Sequence, residues 1–211
     1  MEKLLSFDPF LLILNGICGS GKTHFMKYLL YRLTSEGFVD YCIVFSPTKF
    51  TQQWNMLPEK YIFPEFNDET LQKIMEIQEK QQKKQLLLIF DDCLGSVKFN
   101  SKVVSRFFSC FRHYRAKVML STQNVNKIPP MIRDIASHIA IFETFAERCL
   151  TGLYDSYGHC FERYEDFRKY VKTKCRNYSF ILFSKRKEKD DPFHYRIFKC
   201  PNSLPRYLIR F

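Results

Sequence analysis

Gly16-Ile17-Cys18-Gly19-Ser20-Gly21-Lys22-Thr23 is a full match to the phosphate-loop pattern G-x-x-x-x-G-K-[ST]. A phosphate group carries dense negative charge and has to be met by many donors at short range. Glycines adopt backbone conformations closed to other residues, which lets a loop turn its N–H groups inward around the anion. Lys22 is placed to bring an ammonium to the outer phosphates, and Thr23 to offer a hydroxyl to Mg²⁺. Phe10 to Asn15, just before the loop, is a short apolar run of the kind that forms a buried strand. Thr23 to Ser35 carries apolar residues at helical spacing and is followed by Gly37, so the dipole of the expected helix faces the same anion. Strand, loop and helix thus come in the order the motif requires, which a chance glycine-rich turn would not supply. The nucleotide-binding set expected from this stretch is Gly16, Ile17, Cys18, Gly19, Ser20, Gly21, Lys22, Thr23 and the adjoining His24, with ATP and Mg²⁺ as cofactors.

A second landmark lies at Leu86-Leu87-Leu88-Ile89-Phe90-Asp91-Asp92. Five apolar residues predict a central strand with two acids at its carboxyl end, where open α/β sheets hold their ligands. Asp91 is placed to hold Mg²⁺ together with Thr23, and Asp92 to polarise an attacking water. A third strand, Lys117 to Gln123, ends in Ser121-Thr122-Gln123, and Gln123 at its tip is a sensor candidate for the γ-phosphate or the water.

Further elements follow the same logic. Tyr41 to Thr48 reads as a buried strand ended by Pro47. Thr51 to Leu57 reads as a short helix in which Trp54 serves packing. A helix capped by Asn67 or Asp68 runs to about Lys84. Val97 to Tyr114 has apolar helical faces, Pro129-Pro130 opens a short helix through Ile135, and His138 to Glu143 is a strand. Helices near Phe145–Tyr154 and Phe161–Lys172 precede strands at Tyr178–Ser184 and Phe193–Phe198, with Lys185 to Pro192 as a charged hairpin loop.

The 211 residues, 45% of them hydrophobic, suffice for one large α/β domain with a substantial core. No membrane span is expected, because the apolar run before the loop is too short for a bilayer. The eight cysteines form no C-x-x-C pair and no zinc spacing, and read as reduced thiols. The net charge of +11 points to a polyanionic partner, and it is unevenly spread. Phe161 to Phe211 holds 14 Lys/Arg against 6 Asp/Glu. The division expected is an ATPase core over 1–150 and a basic C-terminal extension, part helix and part β-hairpin, over 151–211 packed on the same domain.

Three elements in order, GICGSGKT from Gly16, LLLIFDD from Leu86 and VMLSTQN from Val118, continue into Pro129-Pro130-Met131-Ile132-Arg133. Together with Arg112-His113 they resemble the FtsK–HerA superfamily of DNA-pumping ATPases. The likeness is nearest to the genome-packaging ATPases of poxviruses, other large DNA viruses, virophages and virus-like transposons. It covers roughly Leu11 to Glu143, and its discriminating part is the Ser-Thr-Gln strand end followed by Pro-Pro-Met-Ile-Arg.

The resemblance implies a RecA-like P-loop NTPase fold of the ASCE type, a mainly parallel central sheet flanked by helices. Its sensor strand would lie between the phosphate-loop strand and the Asp-Asp strand. It implies a homo-oligomeric ring, pentamer or hexamer, that hydrolyses ATP to thread double-stranded DNA without reading sequence. It further implies a capsid vertex partner and a place in the host cytoplasm, at virus factories, or in the virion. The wider superfamily has Asp-Glu where this chain has Asp91-Asp92, one methylene shorter, so the catalytic carboxylate is Asp92 or, in its place, Glu143. A ring enzyme of this kind takes an arginine from the neighbouring subunit; the candidates are Arg112, Arg115 and Arg133, with Arg112 and Arg133 preferred. The alternative function is a nucleoside or nucleotide kinase sharing only the phosphate loop. A GTPase is disfavoured because Asn126-Lys127 is followed by Ile128-Pro129 and not by the base-reading Asp.

Overall fold

Strands and helices alternate along the chain as the apolar runs and helical faces require. The order is β1 (Leu11–Asn15), α1 (Lys22–Ser35), β2 (Tyr41–Phe45), β3 (Ile62–Phe63), α2 (Asp68–Lys80), β4 (Leu86–Phe90) and α3 (Lys102–Cys110). It continues with β5 (Ala116–Thr122), α4 (Pro130–Ile135), β6 (His138–Ile141), α5 (Glu147–Tyr157), α6 (Tyr164–Lys174), β7 (Ser179–Ser184) and β8 (Tyr195–Lys199). The computed structural model describes residues 8–81, 83–185, 195–205 and 208–209. The eight strands follow the order β3-β2-β4-β5-β1-β6-β7-β8. The order has β5, the strand that leads to the sensor candidate Gln123, between β4 and β1, as the resemblance implied.

The chain divides into two compact units, one built mainly from Met26–Leu120, the other from Leu11–Phe25 with Ser121–Asn202. In the first, β2 pairs in parallel with β3 and β4, and β4 with β5 from Leu86↔Ala116 to Phe90↔Leu120. Every residue of β4 and β5 is buried, which explains the unbroken apolar run of β4 and the Val118-Met119-Leu120 centre of β5. Phe45, Phe66 and Phe90 pack together, with Phe45 and Phe90 stacked at 5.4 Å. In the second unit β1 pairs in parallel with β6, and β7 and β8 are added antiparallel. Phe180 on β7 lies 4.4 Å from Phe25 and 4.6 Å from Phe142 between ring centroids, so the C-terminal strands close on the start of α1.

Several boundaries differ from the sequence expectation for identifiable reasons. Asn67 caps α2, its side chain accepting the Thr70 N–H at 2.8 Å, but the helix stops at Lys80 rather than Lys84. Gln78 donates to the Lys84 carbonyl at 2.6 Å and Asp40 accepts the Gln85 N–H at 2.7 Å, which draws the polar segment out of the helix and into β4. Helix α3 begins only at Lys102, where Ser101 caps it, and residues 111–115 turn away, with Arg115 at φ +49°. Thr51 to Leu57 forms turns, not an α-helix, after Gln52 takes a left-handed conformation. The two-residue strand β3 left no apolar run long enough to notice. The hairpin-loop reading beyond Lys185, and the start of the last strand at Phe193 and His194, lie outside the described residues. Among the described residues no helix is long and apolar enough to cross a membrane.

One buried cation stands out in the first unit. Lys117 lies wholly buried on β5, its ammonium donating to Gln85 Oε1 at 3.4 Å. Burial pushes it down to about 8, partly offset by Asp8. Between about pH 8 and the ordinary lysine value the unfolded chain binds the extra proton, so stability rises with pH over that window. Lys117→Met is therefore expected to raise stability at pH 7 by about 1–3 kcal/mol, with the gain shrinking toward pH 10, as measured by urea unfolding at each pH.

Candidate functional site: a phosphate loop and a buried carboxylate

The loop after β1 is stitched to its neighbours through its own backbone. Gly16 N–H donates to the Thr122 carbonyl at 3.1 Å and Ile17 N–H to the Glu143 carbonyl at 2.9 Å. Gly16 has to be glycine: a Cβ there would fall 2.6 Å from Phe142 Cβ and 2.8 Å from Ser20 Oγ. Gly19 and Gly21 hold φ at +76° and +101°, conformations that side chains resist. The ammonium of Lys22, buried, donates to the carbonyls of Gly16 at 2.8 Å and Ile17 at 2.9 Å. The lysine thus draws the loop into a ring whose oxygens face the charge. Helix α1 starts at Lys22 with no acid in its first turn, so its positive end meets no competing carboxylate there.

Two buried polar atoms at this loop, Ser20 Oγ and Asn15 Nδ2, find no hydrogen-bond partner among the described residues. A cradle that excludes side chains and lines itself with unspent donors fits a nucleotide phosphate. Thr23, half-buried at the second position of α1, carries the hydroxyl suited to Mg²⁺.

In the first unit Asp91 follows β4 and is buried, its N–H donating to the Phe45 carbonyl at 2.9 Å. Its carboxylate accepts the indole N–H of Trp54 at 3.2 Å. The Lys27 ammonium stands 5.9 Å above the Trp54 ring and feels the Asp91 charge, while burial pulls it below the usual lysine range. A buried carboxylate held by a donor is a sound hard-oxygen ligand for Mg²⁺. Asp92, by contrast, is exposed and left-handed at φ +51°, so the two acids occupy different environments.

The profile of the family described as Poxvirus A32 protein matches residues 1–148. The chain belongs to that family. Membership bears out the resemblance read from the three motifs and the Pro-Pro-Met-Ile-Arg stretch. The chain is 26% identical over 168 residues to Uncharacterized protein 075L of Invertebrate iridescent virus 6, covering 76% of this chain and 64% of that protein. It therefore spans under two thirds of that relative's length.

In fold, it matches the genome packaging NTPase B204 from Sulfolobus turreted icosahedral virus 2 in complex with ATP-gammaS. The TM-score is 0.68 at 19% identity, over 90% of this chain and 97% of that one. B204, the DNA-packaging ATPase from Sulfolobus turreted icosahedral virus, matches with a TM-score of 0.66 at 18% identity, over 92% and 98%. The P-loop NTPase packaging fold expected from the sequence is the one observed.

Within this member of the poxvirus A32 family, the second unit brings together the whole phosphate loop, Gln123 and Glu143. Gln123 is exposed one residue beyond the Thr122 carbonyl that receives Gly16, and its own carbonyl accepts the Cys149 thiol at 3.9 Å. His24 is tied to the Pro201 carbonyl at 2.7 Å. The first unit holds Asp91, Asp92, Arg112 and Arg115. Both arginines are exposed on the turn after α3, with the Arg112 guanidinium 5.7 Å from the Phe111 ring. Arg133 is engaged in its own unit: Nη1 donates to Ser156 Oγ at 2.8 Å, and its carbonyl accepts from Tyr157 and Lys185.

Trp54 serves packing, as expected, and in addition donates to the Asp91 carboxylate. The only hint lay in its being the chain's single tryptophan, which says nothing of its partner. Trp54→Phe removes the N–H from a buried carboxylate and opens a gap. It is expected to cost about 2–4 kcal/mol in urea unfolding. A double-mutant cycle with Asp91→Asn should return a coupling of about 1 kcal/mol or more; additive losses would mean the contact carries no stability.

Proposed function

We propose that this chain is an ATPase that drives double-stranded DNA into a viral capsid. The observation that carries the reading is the complete phosphate cradle in a member of the poxvirus A32 family. The B204 fold match supports it, since one structure of that protein is in complex with ATP-gammaS. Family membership leaves the kinase alternative without an observation in its favour.

In this reading Gly16 to His24 bind the triphosphate, the loop's backbone donors wrapping it and the Lys22 ammonium leaving its loop carbonyls to meet the outer oxygens. Thr23 and Asp91 are the residues that would hold a Mg²⁺ ion, which would supply charge neutralisation to the bound triphosphate. Asp92, or Glu143 in its place, polarises the attacking water, and Gln123 orients it. An arginine from a neighbouring copy in a pentameric or hexameric ring completes the charge stabilisation. Arg112 suits that role better than Arg133, because an exposed guanidinium on a turn reaches outward while Arg133 is bound to Ser156.

The basic residues of 151–211, as a C-terminal extension of the 1–150 core, would contact DNA phosphates without reading bases. A capsid vertex protein would dock the ring, in the cytoplasmic factory or the virion.

Two outcomes test this. Lys22→Ala is expected to lower ATP turnover by about 10²–10³-fold with the far-ultraviolet circular dichroism unchanged, and undiminished turnover would discard the cradle as the hydrolytic site. Duplex DNA of unrelated sequences should stimulate turnover alike, and the DNA concentration needed should climb steeply from about 50 to 200 mM salt. Stimulation that ignores salt would remove the basic surface from the account.

A further inference from the structure

A strained turn presses an aromatic ring against the phosphate loop. Ser179 N–H donates to the Arg176 carbonyl at 2.9 Å, closing a four-residue turn between α6 and β7. Both central residues are left-handed, Asn177 at φ +52° and Tyr178 at φ +64°. This is the pattern of a type I′ turn, whose central positions favour asparagine and glycine. Asparagine tolerates the first position. At the second, a glycine would relax the backbone, yet the chain places a bulky tyrosine there. Its side chain contributes little to the core, since Tyr178 is 64% exposed. It lies instead against the loop: a Cβ on Gly21 would meet Tyr178 Cδ1 at 3.3 Å and Tyr178 Cβ at 3.9 Å.

We propose that Tyr178 is the platform on which the nucleobase stacks. This rests on the nucleotide-binding reading of the loop and names the part of the ligand the loop does not hold. The loop's donors and Lys22 address phosphates only, and a phosphate carries no means of placing the base. The nucleoside end of a bound triphosphate needs an apolar face beside the loop, and Tyr178 is an exposed aromatic ring in contact with a loop glycine. Its turn leads straight into β7, where Phe180, two residues on, stacks on Phe142, itself beside Gly21. His24, three residues beyond Gly21 and thus on the same side of the first turn of α1, is held by the Pro201 carbonyl after β8. The two C-terminal strands therefore bring both a ring and a tether to the mouth of the cradle. A stacking face accepts any purine, so Tyr178 supplies affinity and leaves the choice between adenine and guanine to other groups.

Calorimetric titration of the full chain with a non-hydrolysable ATP analogue and, separately, with inorganic tripolyphosphate tests this. Tyr178→Gly should weaken the analogue about tenfold and leave tripolyphosphate within about twofold, while Tyr178→Phe keeps both within about twofold. The glycine variant should melt at or above the parent temperature, because its backbone is relieved. An unchanged analogue affinity in Tyr178→Gly would overturn the platform while leaving the cradle intact. Equal losses for both ligands would reassign Tyr178 to supporting the loop, and a loss in Tyr178→Phe would transfer the effect to the hydroxyl. A parent chain that binds neither ligand would overturn the platform and the nucleotide reading together.

Discussion

Everything at the site depends on a backbone approach that leaves no room for a side chain. Gly16 passes so near Phe142 and Ser20 that one added carbon would collide with both. That closeness lets Gly16 donate to Thr122 and Ile17 to Glu143, so the loop is fastened at the ends of β5 and β6. The buried Lys22 ammonium then gathers the Gly16 and Ile17 carbonyls on its other side. A loop held this way pays its ordering entropy during folding, so a bound phosphate meets donors already in place.

Asp91 obeys a different constraint. A carboxylate taken out of water is costly unless something donates to it. Asp91 meets that need with the Trp54 indole, and Lys27 above the same ring adds a nearby positive charge. Asp92, one residue on, turns into the left-handed region and stays in solvent. Identical side chains at adjacent positions thus meet unlike surroundings, one buried against Trp54 and the other in solvent. The same division separates the arginines. The Arg133 guanidinium donates to Ser156, whereas Arg112 and Arg115 are exposed on a turn.

Strands β1, β2 and β4 were readable because each is a five-residue, mainly apolar run, as a parallel sheet that buries both faces requires, whereas the two residues of β3 leave no such run. Helix α2 was readable at its start, where Asn67 caps, but not at its end. Its polar tail from Gln81 to Gln85 has helical propensity throughout, but Gln78 and Asp40 hold Lys84 and Gln85 outside the helix. Val97 to Ser101 is apolar enough to extend α3, and the Ser101 cap overrides it. The role of Trp54, the burial of Lys117 and the position of Tyr178 arise from partners 37, 32 and 157 positions away in the chain. No local pattern encodes such partners.

What the chain's residue order determined unaided was the chemistry that has to be local: eight consecutive residues that can wrap a phosphate, an apolar strand delivering two acids, and a polar strand tip at Gln123. Each is a statement about neighbours in sequence, where spacing is itself geometry. Tertiary structure alone decided which of two adjacent aspartates is buried, which arginine is already spoken for, and which aromatic ring rests on the loop. Those outcomes follow from long-range packing, where a side chain's environment is made by segments that meet only once the sheet has formed.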